Sequence, residues 1–235
     1  MTGIRDVEVV VFDVLGTLID EPSGLRAAIR EAVPASDDTA VDDLLSLWQQ
    51  HGALEQRRIL QGLRAYAGTE TIDAEAARLV SGRAGLSDPA TIARLATAGQ
   101  RMPPWPDSVA GLERLAQCFP VVGLSNAGRT ALLRLSAHAG LRWHQALSAE
   151  AVQAYKPAPE VYRLAVDTAG CPPDRVLMVA AHAWDLRGAQ AVGMRTAYVR
   201  RPVGDPPSSA DVFDWRFDGL GQLVGSLTRG QVASG

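Results

Sequence analysis

Three short apolar segments of this 235-residue chain run into side chains that can do chemistry, and a lone lysine supplies a fourth place. Val9-Val10-Val11-Phe12 leads to Asp13 and Thr17, and Val121-Val122-Gly123-Leu124 leads to Ser125 and Asn126. Val179-Ala180-Ala181 leads to His182 and Asp185, while Lys156 stands apart in Ala154-Tyr155-Lys156-Pro157. Carboxylates, an ammonium, an imidazole and hydroxyls are the materials of nucleophilic and general acid–base catalysis. Each also has an ordinary explanation. Asp13 can be a turn acid and Thr17 a helix cap, Ser125 and Asn126 are good N-cap residues, and Asp185 suits a helix N-terminus through the dipole. All these ordinary explanations would have to hold together, at one end of one sheet, and that coincidence argues for a site.

Composition adds one detail. Lysine and arginine together number 23, yet only one of them, Lys156, is lysine.

The elements that position these residues follow from periodicity. Glu8–Leu15, Pro120–Ser125, Val176–Ala181 and Arg195–Val199 are short, continuously apolar runs of the kind buried parallel strands show, and Val212–Phe217 is a weaker fifth. Helical stretches alternate with them at Ser108–Cys118, Ala127–Ala139, Pro157–Ala169 and Ala183–Val192, with Gly140, Gly170 and Gly193 marking C-termini. This alternation predicts an α/β fold, a Rossmann-like parallel sheet with helices on both faces. Ligands of such sheets bind beyond the carboxyl ends of the strands, which is where Asp13, Ser125 and His182 fall. From Pro22 to Pro104 the rhythm breaks. That stretch is helical in pattern throughout, at Leu25–Val33, Ala40–Tyr66, Ala74–Ala84 and Pro89–Ala98, and the proline-rich Arg101–Asp107 reads as the return linker. The expected organisation is a core of residues 1–20 and 105–235 with a helical cap at 21–104.

Composition excludes several classes. Hydrophobic residues make up 47% and the formal net charge is −3, which argues against disorder and gives no electrostatic reason to expect nucleic acid. No apolar run approaches the ~20 residues of a membrane span. The N-terminus lacks a basic segment followed by a signal-type apolar stretch, so a cytoplasmic location is expected. Cys118 and Cys171 have no partner pattern for a disulfide framework or a zinc site.

Phe12-Asp13-Val14-Leu15-Gly16-Thr17-Leu18, Leu124-Ser125-Asn126, Tyr155-Lys156-Pro157 and Ala183-Trp184-Asp185 with Gly188-Ala189 together resemble the four motifs of the haloacid dehalogenase superfamily, and most closely its type II (S)-2-haloacid dehalogenases. The resemblance covers nearly the whole chain, and the helical insertion matches the family's cap. It implies that Asp13 is a nucleophile that forms an ester, with Lys156 favouring its ionised form. It further implies that Thr17 and Asn126 orient the carboxylate, that Ser125 binds a small-molecule carboxylate substrate, and that Asp185 orients or deprotonates the hydrolytic water. Tyr162 matches a family active-site tyrosine, and a homodimer built partly from cap helices is implied.

Departures from the family pattern narrow the chemistry. Superfamily phosphatases carry a second aspartate where this chain has Leu15, and a metal-binding Gly-Asp pair where it has Ala180-Ala181. Leucine cannot transfer a proton, and hard cations want several oxygen ligands. The resemblance therefore implies metal-independent, cofactor-free displacement at the carbon next to a carboxylate, because a halide leaves without a proton. Where type II enzymes place a halide-stabilising arginine after a tryptophan, this chain has Trp48-Gln49, and Arg57 and Arg58 are the candidates to substitute. Leu15 replaces an aromatic hydroxyl. Ala180 and His182 replace a serine and an asparagine, which makes His182 a candidate to orient the water or act as base. Trp105 and Trp184 are expected pocket walls. Other readings are the same displacement opening a small cyclic amino acid, a phosphatase with degraded motifs, and an inactive scaffold.

Overall fold

The computed structural model describes residues 4–232. Six strands form one fully parallel sheet: β1 (Val9–Asp13), β2 (Val121–Ser125), β3 (Gln145–Ser148), β4 (Val176–Ala180), β5 (Arg195–Val199) and β6 (Trp215–Phe217). Their order is β3-β2-β1-β4-β5-β6, with β1 in the middle. Every residue of β1, β2 and β4 is buried. Alternation within β1 sends Val10 and Phe12 into one apolar cluster and Val9 and Val11 into the other, so both faces are covered. The first face packs on α5 (Ser108–Ala116), α6 (Arg129–Ala139) and α9 (Leu220–Val232), and the second on α7 (Pro159–Ala169) and α8 (Ala183–Ala191). This is the Rossmann-like α/β arrangement the alternating pattern predicts. β3 is the strand that pattern missed: Gln145-Ala146-Leu147-Ser148 has two exposed and two buried residues and no valine run.

Between β1 and α5 the chain inserts four helices, α1 (Glu21–Ala32), α2 (Asp38–Leu60), α3 (Thr69–Ala84) and α4 (Pro89–Ala96), and no strand. Their inward faces, with Leu25, Ile29, Trp48, Ala77, Val80 and Leu95, join the cluster on the first face of the sheet. Within this cap, Arg64 bonds Glu55 at 2.6 Å and Glu75 at 2.9 and 2.6 Å, which ties the loop after α2 to both long helices.

The chain crosses between core and cap twice, and the crossings are stitched together. The Trp105 indole donates to Gly16 O (3.1 Å), Ser108 Oγ to Leu18 O (2.7 Å), and Asp20 N to Pro103 O (2.9 Å). Arg201, from the loop after β5, donates to Thr17 O at 2.8 Å and to Asp107 at 2.7 Å, with its guanidinium 5.8 Å from the Trp105 ring centroid. Its side chain is 6% exposed and that of Asp107 40%. Replacing Arg201 with Leu removes two charge-assisted bonds from one nearly buried group. Chemical denaturation is expected to show a loss of about 2 kcal/mol, and an unchanged midpoint would mean the stitch contributes nothing.

Candidate active site

The strand ends and the loops after them bring the polar residues to one edge of the sheet. β1 ends on Asp13, and the next residues turn sharply: Leu18 N and Ile19 N both bond back to Val14 O. The turn needs Gly16, whose φ of +79° is left-handed and over which the His182 ring packs; a Cβ there would sit 2.5 Å from His182 Nε2. It delivers the Thr17 hydroxyl to Asp13 Oδ2 at 2.6 Å, while Ala181 N donates to the same hydroxyl at 2.9 Å.

Lys156 is the centre of the arrangement. Its Nζ lies 2.9 Å from Asp13 Oδ1 and 2.8 Å from Asp185 Oδ2, and its side chain is 1% exposed. Burial alone would depress the ammonium, but the two carboxylates outweigh it and hold Lys156 above its ordinary value. Asp185 is completely buried. Burial pushes it up, as does Asp13, against the pull of Lys156 and of Tyr162, whose phenol donates to Asp185 Oδ1 at 2.6 Å. Gly188 leaves the room for that phenol, since a Cβ there would meet it at 2.4 Å.

A cavity between core and cap opens onto this cluster. One part, of about 200 Å³, is lined by Asp13, Leu15, Glu21, Gln56, Ser125, Asn126, Lys156, His182 and Trp184. A smaller part toward the cap, of about 70 Å³, shares Leu15, Glu21, Gln56 and Asn126 and adds Trp48, Thr69 and Asp73 among others. The cap also clasps the loop after β2. Gly128 N donates to Thr69 Oγ1 at 2.9 Å and Ala131 N to Glu70 Oε1 at 3.4 Å, so two cap side chains cap the N-terminus of core helix α6. Tyr155, beside Lys156, donates its hydroxyl to Ala67 O of the cap at 2.8 Å.

Of the residues singled out from sequence, Asp13, Leu15, Ser125, Asn126, Lys156 and His182 surround the cavity, and Thr17 stands behind Asp13. Others sit otherwise than expected. Asp185 does not line the cavity, because both its oxygens are taken by Lys156 and Tyr162; it braces Lys156 from behind. Tyr162 likewise faces Asp185 and has no exposure to the cavity. Asn126 does not hold the Asp13 carboxylate; its Oδ1 accepts from Lys156 N at 2.9 Å. Gln49 is exposed on α2: one residue along a helix turns about 100°, and with Trp48 buried, Gln49 is carried outward. Gln56, two turns on, is the polar α2 side chain at the cavity, beside Trp48 of the same helix. Arg57 and Arg58 are both exposed, and Arg58 pairs with Glu55. Trp184 walls the cavity, whereas Trp105 serves the hinge. Glu21, Gln56, Thr69 and Asp73 were not read from the sequence. Among the described residues no group of three or more His, Cys, Asp or Glu is placed to hold a metal ion, and no helix is long and apolar enough to cross a membrane.

Comparison with known proteins places this geometry. Residues 7–193 match the family model for haloacid dehalogenase-like hydrolases. The chain belongs to that family. Its hydrolase relatives include (S)-2-haloacid dehalogenase H-109 of Pseudomonas putida, 30% identical over 92% of this chain and 100% of the relative. The solved L-2-haloacid dehalogenase PA0810 superposes with a TM-score of 0.86 at 29% identity, covering 95% of this chain and 99% of that one. The Xanthobacter autotrophicus L-2-haloacid dehalogenase with chloropropionic acid covalently bound superposes at 0.80 and 28% identity, covering 95% and 99%. This haloacid dehalogenase-like chain therefore shares its fold over nearly its whole length with these solved dehalogenases.

Two substitutions test the cluster. Lys156→Arg puts a planar fork where a compact ammonium bridges two carboxylates; turnover should fall at least about 100-fold with an unchanged circular dichroism spectrum. Retained activity would dismiss the bridge. Tyr162→Phe leaves one Asp185 oxygen buried without a donor, and is expected to lower stability by about 1–3 kcal/mol in denaturant titration.

Proposed function

We propose that the chain hydrolyses the carbon–halogen bond of short (S)-2-haloacids through an ester on Asp13. The observation that carries this reading is the Asp13 carboxylate, fixed by Thr17 and Lys156 and open to a cavity in which the neighbouring Leu15 cannot supply a proton. A halide needs none.

The substrate carboxylate binds at Ser125 and Asn126, which line the cavity beside the nucleophile. An Asp13 oxygen attacks C2 as the carbon–halogen bond breaks, and the bonding pair leaves with the halide. Lys156 and Thr17 stay on the carboxylate throughout, so no reorganisation of these donors is needed as its charge moves into the new bond. The Gln56 amide is the cap group that receives the leaving halide. Its neutral N–H is a weaker donor than a guanidinium.

Water then attacks the Asp13 carbonyl carbon. His182, which lines the cavity over Gly16, accepts one proton of the water; the ester bond breaks, the leaving alkoxide takes the proton of the new Asp13 carboxyl to give a 2-hydroxy acid and the free carboxylate, and His182 returns its proton to solvent. Asp185 and Tyr162 act as positioning residues by holding Lys156. Because the first step alone occurs at C2, configuration there inverts.

Chloride release from (S)-2-chloropropionate, without added metal and beside an Asp13→Asn control, tests the activity; release no faster than the control would end the dehalogenase reading. Single turnover with excess enzyme in ¹⁸O-water tests the ester. The first product should carry unlabelled oxygen from Asp13, and immediate incorporation of label would show direct attack by water.

A further inference from the structure

The cavity has more carboxyl groups than the proposed reaction uses. Besides Asp13, its lining includes Glu21 and Asp73, and its only lysine or arginine among the described residues, Lys156, is already shared between Asp13 and Asp185. Glu21 stands at the first turn of α1 and borders both parts of the cavity. Asp73 stands one turn inside α3 and closes the cap end. Neither carboxyl has a hydrogen-bond or ion-pair partner among the described residues. The His182 imidazole lines the same part of the cavity as Glu21.

Around the two acids the walls are Leu15, Leu25, Trp48 and Met102, with the Gln56 amide and the Thr69 hydroxyl as neutral polar groups. Burial pushes both carboxyls up, Glu21 also through Asp13, and Asp73 to about 7 with help from Glu21 and Glu70. Polar groups enclosed this way are costly unless something hydrogen-bonds them. A plain anionic substrate makes the imbalance worse, since its carboxylate enters a space already holding three carboxyl groups. A ligand with an ammonium of its own corrects it, because three N–H donors on a compact cation can serve both acids.

We propose that the natural substrate is a zwitterion: a 2-substituted carboxylate whose chain also carries an ammonium group, which Glu21 and Asp73 receive while Ser125 and Asn126 take the carboxylate. The placement of the carboxylate end rests on the function proposed above; the ammonium end rests on the two unpartnered acids. Glu21 and Asp73 are then specificity residues that choose among 2-substituted carboxylates.

Binding of unreactive probes to the wild-type protein tests this by calorimetry at low ionic strength. The probes are 3-aminopropionate, 4-aminobutyrate and 5-aminopentanoate, each against propionate, butyrate or pentanoate. The best-fitting amino acid should bind at least ~10-fold more tightly than its ammonium-free counterpart. Glu21→Gln with Asp73→Asn should bring that ratio to about one, largely by weakening the amino acid. A wild-type ratio of one or less for all three pairs overturns the proposal, as does a ratio that survives in the folded double variant. The wild-type ratio needs no substitution, so a misfolded variant does not blunt the test. Chloride release separates the two readings. Rapid release from (S)-2-chloropropionate with no ammonium preference defeats this inference alone, and an ammonium preference with no release from any 2-haloacid defeats the dehalogenase reading alone.

Discussion

One ammonium held between two carboxylates organises the molecule. Lys156 Nζ is within 2.9 Å of Asp13 and of Asp185, and all three come from different segments of the chain. A buried charge is tolerated only when it is paired and hydrogen-bonded, and removing one partner from such a pair costs about 3–5 kcal/mol. The surroundings read as the completion of this pairing. Thr17 takes the second oxygen of Asp13, Tyr162 takes the second oxygen of Asp185, and Ala181 N fixes Thr17 in turn. Gly16 and Gly188 occur where any side chain would displace a member of the cluster or the ring packed over it.

The same constraint separates the chemistry from the choice of substrate. The reacting groups are supplied by the core, where β1, β2 and β4 are buried on both faces and leave their ends little freedom. The cap supplies Gln56, Trp48, Thr69 and Asp73 to the cavity walls, and polar contacts add to the apolar cluster it shares with the first face of the sheet. Thr69 and Glu70 cap α6 together with the core residue Glu150, Tyr155 reaches back to Ala67, and Arg201 pins the crossings. The loop that carries Ser125 and Asn126 runs into that α6 terminus. A shift of the cap therefore reaches the substrate-binding loop directly.

Much of the core was legible in the sequence because its signals are local. A run such as Val9-Val10-Val11-Phe12 fits little but a buried strand, and the residue after it has to lie at the strand's carboxyl end. Hence Asp13, Ser125 and His182 could be placed at one edge before any geometry was known. The half-exposed β3 gave no such run. Roles within the cluster were less legible. Sequence shows that Asp185 follows β4, but not that Lys156 and Tyr162 occupy both its oxygens and remove it from the cavity. Nor does it show that Asn126 turns its oxygen to Lys156 N rather than to Asp13.

The cap was legible as helices but not as a wall. Periodicity says which stripe of α2 is apolar, yet whether Gln49 or Gln56 meets the cavity depends on how far the helix extends past the core edge, which is a tertiary quantity. Glu21 and Asp73 fall in the first and second turns of their helices, where a carboxylate is favoured by the dipole and gives no signal of a site. Only the packing of α1 and α3 in the cap turns them toward the cavity, where they are half-buried and meet no lysine or arginine beyond the already shared Lys156. The lone lysine gains its meaning from the same docking. A compact, strongly hydrated ammonium on a flexible stem can bridge two carboxylates in a closed site, whereas a guanidinium needs a planar approach to each. In a chain that otherwise uses arginine at every basic position, Lys156 occupies the point where two carboxylates converge, and the same closure leaves none of the arginines lining the cavity to answer Glu21 and Asp73.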